Sequence, residues 1–245
     1  MQIQYKPEGT LISTQRNTEL AASPAGLEYA MLHGTILEGL AVLCDSNFDI
    51  HVELGGGITG TISRDEIMFC RGDESVKDIA VLTRVGKPVC FKVTGIDEVR
   101  GRLIPRLSRR EAQRECYVHY LSLLRPGDII PARVTHLESF GAFVDIGCGL
   151  VSLLSVDCIS VSRIAHPRDR LSCGMDIMAA VKSNDPVTGR IYVTHRELLG
   201  TWEQNAAQFS PGQTVAGIIR SVEQYGIFVE LTPNLAGLAE LRENK

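Results

Sequence analysis

Phe140-Gly141-Ala142-Phe143-Val144-Asp145-Ile146 returns 85 residues later as Tyr225-Gly226-Ile227-Phe228-Val229-Glu230-Leu231. The same offset carries Arg125-Pro126-Gly127-Asp128-Ile129-Ile130 onto Ser210-Pro211-Gly212-Gln213-Thr214-Val215. A register kept over two separate stretches marks one repeated unit. A fainter copy lies 92 residues upstream, where Phe48-Asp49-Ile50-His51-Val52-Glu53-Leu54 keeps the aromatic, valine, acid and aliphatic positions but lacks the glycine.

Within the central copy, the segments 129–137, 142–146, 150–155, 176–183 and 190–194 are rich in Val and Ile and alternate, which predicts strands. Gly147-Cys148-Gly149 and Pro186-Val187-Thr188-Gly189 supply turns, and 160–174 is a longer polar connection. Five short strands in one small unit predict a closed barrel of the oligonucleotide/oligosaccharide-binding type. Ser108-Arg109-Arg110-Glu111 and Thr194-His195-Arg196-Glu197 match the Ser/Thr-x-x-Glu capping box, and each precedes a stripe of apolar residues four apart. The stripes are Ala112, Cys116, Tyr120 and Leu124, then Leu198, Trp202 and Ala206, and they are expected to pack against a neighbouring domain. Ser23-Pro24 opens a third short helix through Leu32. The expected fold is mainly β: tandem five-stranded barrels joined by short capped helices, the third barrel incomplete. Its divisions are an N-terminal extension at 1–32, a divergent barrel at 33–108, a connector at 109–124, a barrel at 125–196, a connector at 197–209 and a partial barrel at 210–245. Only three strands of the third copy (214–222, 226–231 and 236–241) fit before Lys245, so the chain is expected to be a shortened form of a longer protein, or its last copy to dock on the Trp202 connector or another chain.

At 44% hydrophobic and 22% charged, with mean hydropathy +0.05, the 245 residues are those of a globular protein. Apolar runs break far short of a membrane span and the start has no signal-peptide pattern, so a cytoplasmic location is expected. Seven cysteines without Cys-x-x-Cys point to reduced thiols rather than a disulfide framework or a zinc site. The net charge of −4 argues against indiscriminate polyanion binding by a large positive field, although the 25 cations are 6 Lys and 19 Arg, and Arg is the choice for forked phosphate contacts and stacking.

Together with Arg163-Ile164-Ala165-His166-Pro167, Gly174-Met175-Asp176-Ile177 and Gly189-Arg190-Ile191-Tyr192-Val193-Thr194, these motifs resemble the S1 RNA-binding domain, found in polynucleotide phosphorylase and in ribosomal protein S1. The array with helical connectors is most similar to the bacterial ribosomal protein S1 family. That resemblance implies a barrel face that binds single-stranded RNA through two aromatics on the second strand, a His on the third, and an Asp and an Arg near the last hairpin. Phe140, Phe143, Asp185 and Arg190 match those positions. The His does not: where the family reads Gly-Leu-Leu-His-Ile-Ser, this chain reads Ser152-Leu153-Leu154-Ser155-Val156-Asp157, and the other copies have Ser63 and Glu240. Phe48 and His51 in the first copy, Tyr225 and Phe228 in the third, and Arg102 complete the candidates. The implied protein is non-catalytic, without cofactor, metal or small-molecule substrate. Its partners would be single-stranded RNA, specifically mRNA, and the small ribosomal subunit. The alternatives are an RNA-recruiting module for a separate enzyme and a protein-docking scaffold.

The residues argue the same way. Alternation in 142–146 turns Ala142, Val144 and Ile146 inward and leaves Phe143 and Asp145 outside. An exposed Phe143, with Phe140 presented by a bend at Gly141, is a platform on which bases stack. Arg133, His136 and Arg190 are cations placed to reach an RNA backbone. Gly55-Gly56-Gly57-Ile58-Thr59-Gly60 satisfies the dinucleotide fingerprint but precedes β-prone Thr61-Ile62, so a glycine-rich hairpin is expected. His166-Pro167-Arg168-Asp169-Arg170 reads as a surface loop, and the arginines at 100, 102, 106, 109, 110 and 114 as a solvated, salt-bridged face.

Overall fold

The computed structural model describes residues 5–70, 76–99, 101–232 and 234–241. They divide into two compact units, 1–124 with 145–151, and 125–144 with 152–245. Among the described residues no helix is long and apolar enough to cross a membrane.

The first unit holds a closed barrel of β1 (Leu37–Cys44), β2 (Ile50–Gly55), β3 (Ile58–Ile62), β4 (Pro88–Val99) and β5 (Arg102–Ser108) in the order β1-β2-β3-β5-β4. All its pairings are antiparallel except β3 with β5, where Thr61 faces Arg106. Phe91, Leu37, Ile50, Val52, Ile62 and Leu107 fill its interior. Gly55, Gly56 and Gly57 all have positive φ and make the β2–β3 turn, a conformation that favours glycine. The glycine-rich stretch is therefore a hairpin, as expected. Ahead of the barrel come α1 (Gln15–Ala21) and α2 (Pro24–His33), which pack on β1 and β4. Ser23 caps α2 by accepting from Gly26 N, with Pro24 in the first turn, whereas α1, capped by Thr14, had no strong sequence signal. A short α3 (Asp78–Leu82) lies between β3 and β4. After β5, Ser108 Oγ accepts from Glu111 N and starts α4 (Arg109–His119), which buries Ala112 and Cys116.

A second barrel repeats the topology with β6 (Ile129–Glu138), β7 (Gly141–Asp145), β8 (Val151–Ser155), β9 (Asp176–Asn184) and β10 (Ile191–Thr194), closed in the order β10-β8-β7-β6-β9. Again a parallel pairing joins the third and fifth strands, Leu153 facing Tyr192. A three-stranded antiparallel sheet follows: β11 (Ile218–Glu223), β12 (Gly226–Thr232) and β13 (Leu235–Glu240).

The second connector departs from the expected single helix. A 3₁₀ turn at Arg196–Leu199 stops at Gly200, whose φ is 82°, and α5 (Trp202–Ala206) starts afresh. The reciprocal capping box belongs to Thr201 and Gln204, while the Thr194 hydroxyl bonds the Glu197 carboxylate directly. This break throws Trp202 outward at 59% exposure instead of into a packed stripe, although α5 does lie against β13. Two charged clusters also differ from expectation. Arg106, Arg110 and Arg114 pair with Asp97, Glu66 and Glu111, but Arg109 is buried, held by both carboxylate oxygens of Glu8 at 2.6 and 2.9 Å. Arg100 lies outside the described residues. In the 166–170 loop, Arg170 is drawn inward by Glu230 at 2.6 Å.

Candidate nucleic-acid interface

Gly141 begins β7 with almost no room beside it. A Cβ there would stand 2.5 Å from Leu154 O and 3.0 Å from Ser155 Cα, so only glycine allows β7 this close to β8. The close approach, with Val156 N donating to Phe140 O, presents Phe140 at 53% exposure beside a half-buried Phe143. Their rings meet edge to face, centroids 6.1 Å apart at 89°, and His136 stacks against Phe143 at 6.4 Å. Thr135 Oγ1 donates to Phe143 O and holds β6 against β7. Leu153 on β8, near the bare face of Gly141, and Tyr192 opposite it on β10 continue this outer surface. Tyr192 was not among the sequence candidates. The signal was present, because Ile191, Val193 and Thr194 are buried and alternation leaves Tyr192 to face solvent.

Asp145 does not stand outside beside Phe143. It is 2% exposed, since β7 ends at this residue and its carboxylate folds back as a turn former, accepting from Gly147 N and Gly149 N at 2.8 and 3.0 Å and from Glu8 N at 2.7 Å. Burial, then the nearby Glu8 charge, pushes its carboxyl up to about 7.

The polar candidates divide by their partners. Arg133 grips Asp176 through Nε and Nη2 at 2.6 and 2.8 Å. His136 Nε2 is 2.7 Å from Glu138. Asp185 shapes the β9–β10 hairpin, accepting from Thr188 Oγ1 and Val187 N at 2.5 and 2.9 Å. Those hydrogen bonds hold its carboxyl below the usual range. Arg190, in the same hairpin, is exposed, as is Arg102 at the start of β5.

The other copies differ in how far their aromatics are available. In the first barrel Asp49 replaces the glycine, and Phe48, at φ 64°, packs on the core with the Arg64 guanidinium 5.3 Å over its ring. His51 sits 3.3 Å from Asp45. In the third copy Tyr225 and Phe228 reproduce the pair of the second barrel, centroids 6.3 Å apart at 90°, with Tyr225 61% exposed.

The two barrels of this topology match the family model described as the S1 RNA binding domain over residues 33–109 and 123–196. The chain belongs to the S1 RNA-binding-domain family. It is 31% identical over 173 residues to the small ribosomal subunit protein bS1 of Staphylococcus aureus (strain COL), covering 69% of this chain and 43% of that protein. With bS1 of Rhizobium meliloti (strain 1021) it shares 26% over 197 residues, covering 78% and 34%. The chain thus spans less than half the length of these relatives. Among solved structures, GSP13 from Bacillus subtilis is 21% identical with a TM-score of 0.30, over 38% of this chain and 77% of that one. Phe140 and Phe143 lie together on one face of the second barrel, and at the end of β8 the Ser155 hydroxyl donates to Asp157 at 2.5 Å.

Proposed function

We propose that this chain is a non-enzymatic, single-stranded-RNA-binding protein acting in translation, engaging mRNA at the small ribosomal subunit mainly through the outer face of its second barrel. The observation that carries this reading is an exposed Phe140 set edge to face against a half-buried Phe143, flanked by His136 and backed by Gly141, with the same geometry at Tyr225–Phe228. Open aromatic faces accept unpaired bases of any identity and cannot take up bases stacked within a duplex. Arg190, exposed in the hairpin next to β10, is the cation best placed to meet the backbone. Kinship with S1 domains and with bS1 supports both the ligand and the setting. Titration of the full chain by fluorescence anisotropy against a single-stranded RNA, the same RNA as a duplex, and purified small ribosomal subunits tests it. The expected order is single strand over duplex by about tenfold or more, with saturable binding to the subunit. Equal or tighter duplex binding would refute the stacking reading.

A further inference from the structure

Resting on the reading that the second unit binds RNA, we propose that the segment 160–165 forms a second RNA subsite, in which Arg163 takes a phosphodiester and Ser162 a ribose hydroxyl of a strand leaving the Tyr225–Phe228 pair. Two hollows flank this segment. One, of about 650 Å³, is lined by Tyr225, Phe228, Arg220, Asp169 and Arg163. The other, of about 390 Å³, is lined by Asp157, Ser160, Ser162, Arg196 and again Arg163.

The charges around them sort by engagement. Arg170 and Arg220 both donate to Glu230, at 2.6 and 2.7 Å, and Arg196 donates to Asp157 O at 3.1 Å. Arg163, shared by both hollows, is exposed and has no hydrogen bond or ion pair among the described residues. Ser162 is 6% exposed, and its buried Oγ has no hydrogen-bond partner among them. A buried hydroxyl without a partner is costly, and a ligand group that donates and accepts would relieve it. The carboxylates of Asp157, Asp169 and Glu223 along the walls disfavour a free dianionic phosphate. They suit a singly charged phosphodiester flanked by sugar and base donors. The wall itself is fixed, because the Arg170–Glu230–Arg220 cluster ties the 163–170 loop to β11 and β12. An aromatic pair for a base, one free guanidinium for the next phosphate and one hydroxyl beyond it describe a dinucleotide step of RNA.

The test uses the full chain with labelled oligouridylate and its deoxy counterpart. Arg163→Gln is expected to weaken RNA binding about threefold to tenfold and to flatten the slope of log K against log salt by about 0.7, the loss of one phosphate contact on a single strand. Ser162→Ala is expected to reduce the preference for RNA over DNA about threefold while leaving DNA affinity unchanged, since the 2′-hydroxyl is what separates the two. Should a variant fold poorly, cross-linking of the unmodified chain with 4-thiouridine RNA decides the matter, with cross-links expected at both Tyr225 and 160–165. Unchanged affinity and salt slope in a folded Arg163→Gln, or cross-links confined to 140–143, would overturn the subsite while leaving the Phe140–Phe143 reading intact. No RNA binding by the unmodified chain would reject both.

Discussion

Gly141 shows how one residue sets the geometry of the face. Its missing side chain lets β7 approach Leu154 O, where an exposed Phe140 stands edge to face against a half-buried Phe143, and in the first barrel Asp49 at that place coincides with a Phe48 turned onto the core. Adding one methyl at Gly141 meets backbone rather than a flexible side chain. Gly141→Ala is therefore expected to cost about 1–3 kcal/mol through overpacking and to lower the melting temperature of the second unit by several degrees, as followed by circular dichroism; an unchanged melt would show that β7 and β8 can part without loss. The aromatic positions were legible in the sequence because strand alternation is a two-residue rule. Asp145 was not, since a carboxylate at a strand end can leave the alternation to bond turn amides three-dimensionally adjacent to it.

Among the elements, the N-terminal segment before α1 presses its backbone onto two buried acids. Glu38 accepts from Gly9, Leu11 and Ile12 N at 3.1, 2.8 and 2.8 Å, and Asp145 accepts from Glu8 N. Desolvation pushes both carboxyls up to about 7 against an unfolded value near 4. In that interval the folded chain holds protons that the unfolded chain releases, so stability falls as pH rises from about 4 to about 7 and levels beyond. Carboxyls held low, such as Asp176 and Asp185, lose their contribution only at more acid pH and do not oppose this. Urea midpoints are expected to drop between pH 5 and 7.5, and Asp145→Asn to flatten the drop; a midpoint that rises over this range would contradict the buried-acid account. Strands of the barrels were readable from pattern and repeat alone, whereas the second connector was misread. Thr194-x-x-Glu197 has the letters of a capping box, yet Gly200 ends that turn and Thr201 with Gln204 caps the real helix, a contest between local signals that spacing cannot decide.

For the whole molecule, a net charge of −4 and the pairing of most of the described arginines with carboxylates leave few cations for phosphates. If two to four phosphates are neutralised, the slope of log K against log salt is expected at about −1.4 to −2.8, and one steeper than about −5 would mean that electrostatics, not stacking, dominates. On the proposed reading, weak sites on the second barrel and third sheet would gain from sharing one strand, because the second contact would form at the effective concentration set by the first. Stacking on the second barrel remains the central claim, and Phe140→Ala with Phe143→Ala tests it most directly. Measured by fluorescence anisotropy on a chain whose circular dichroism matches the parent, the double variant is predicted to lose about tenfold or more in affinity for single-stranded RNA, at roughly 1–3 kcal/mol per stacked base. Unchanged affinity in that folded variant would contradict it.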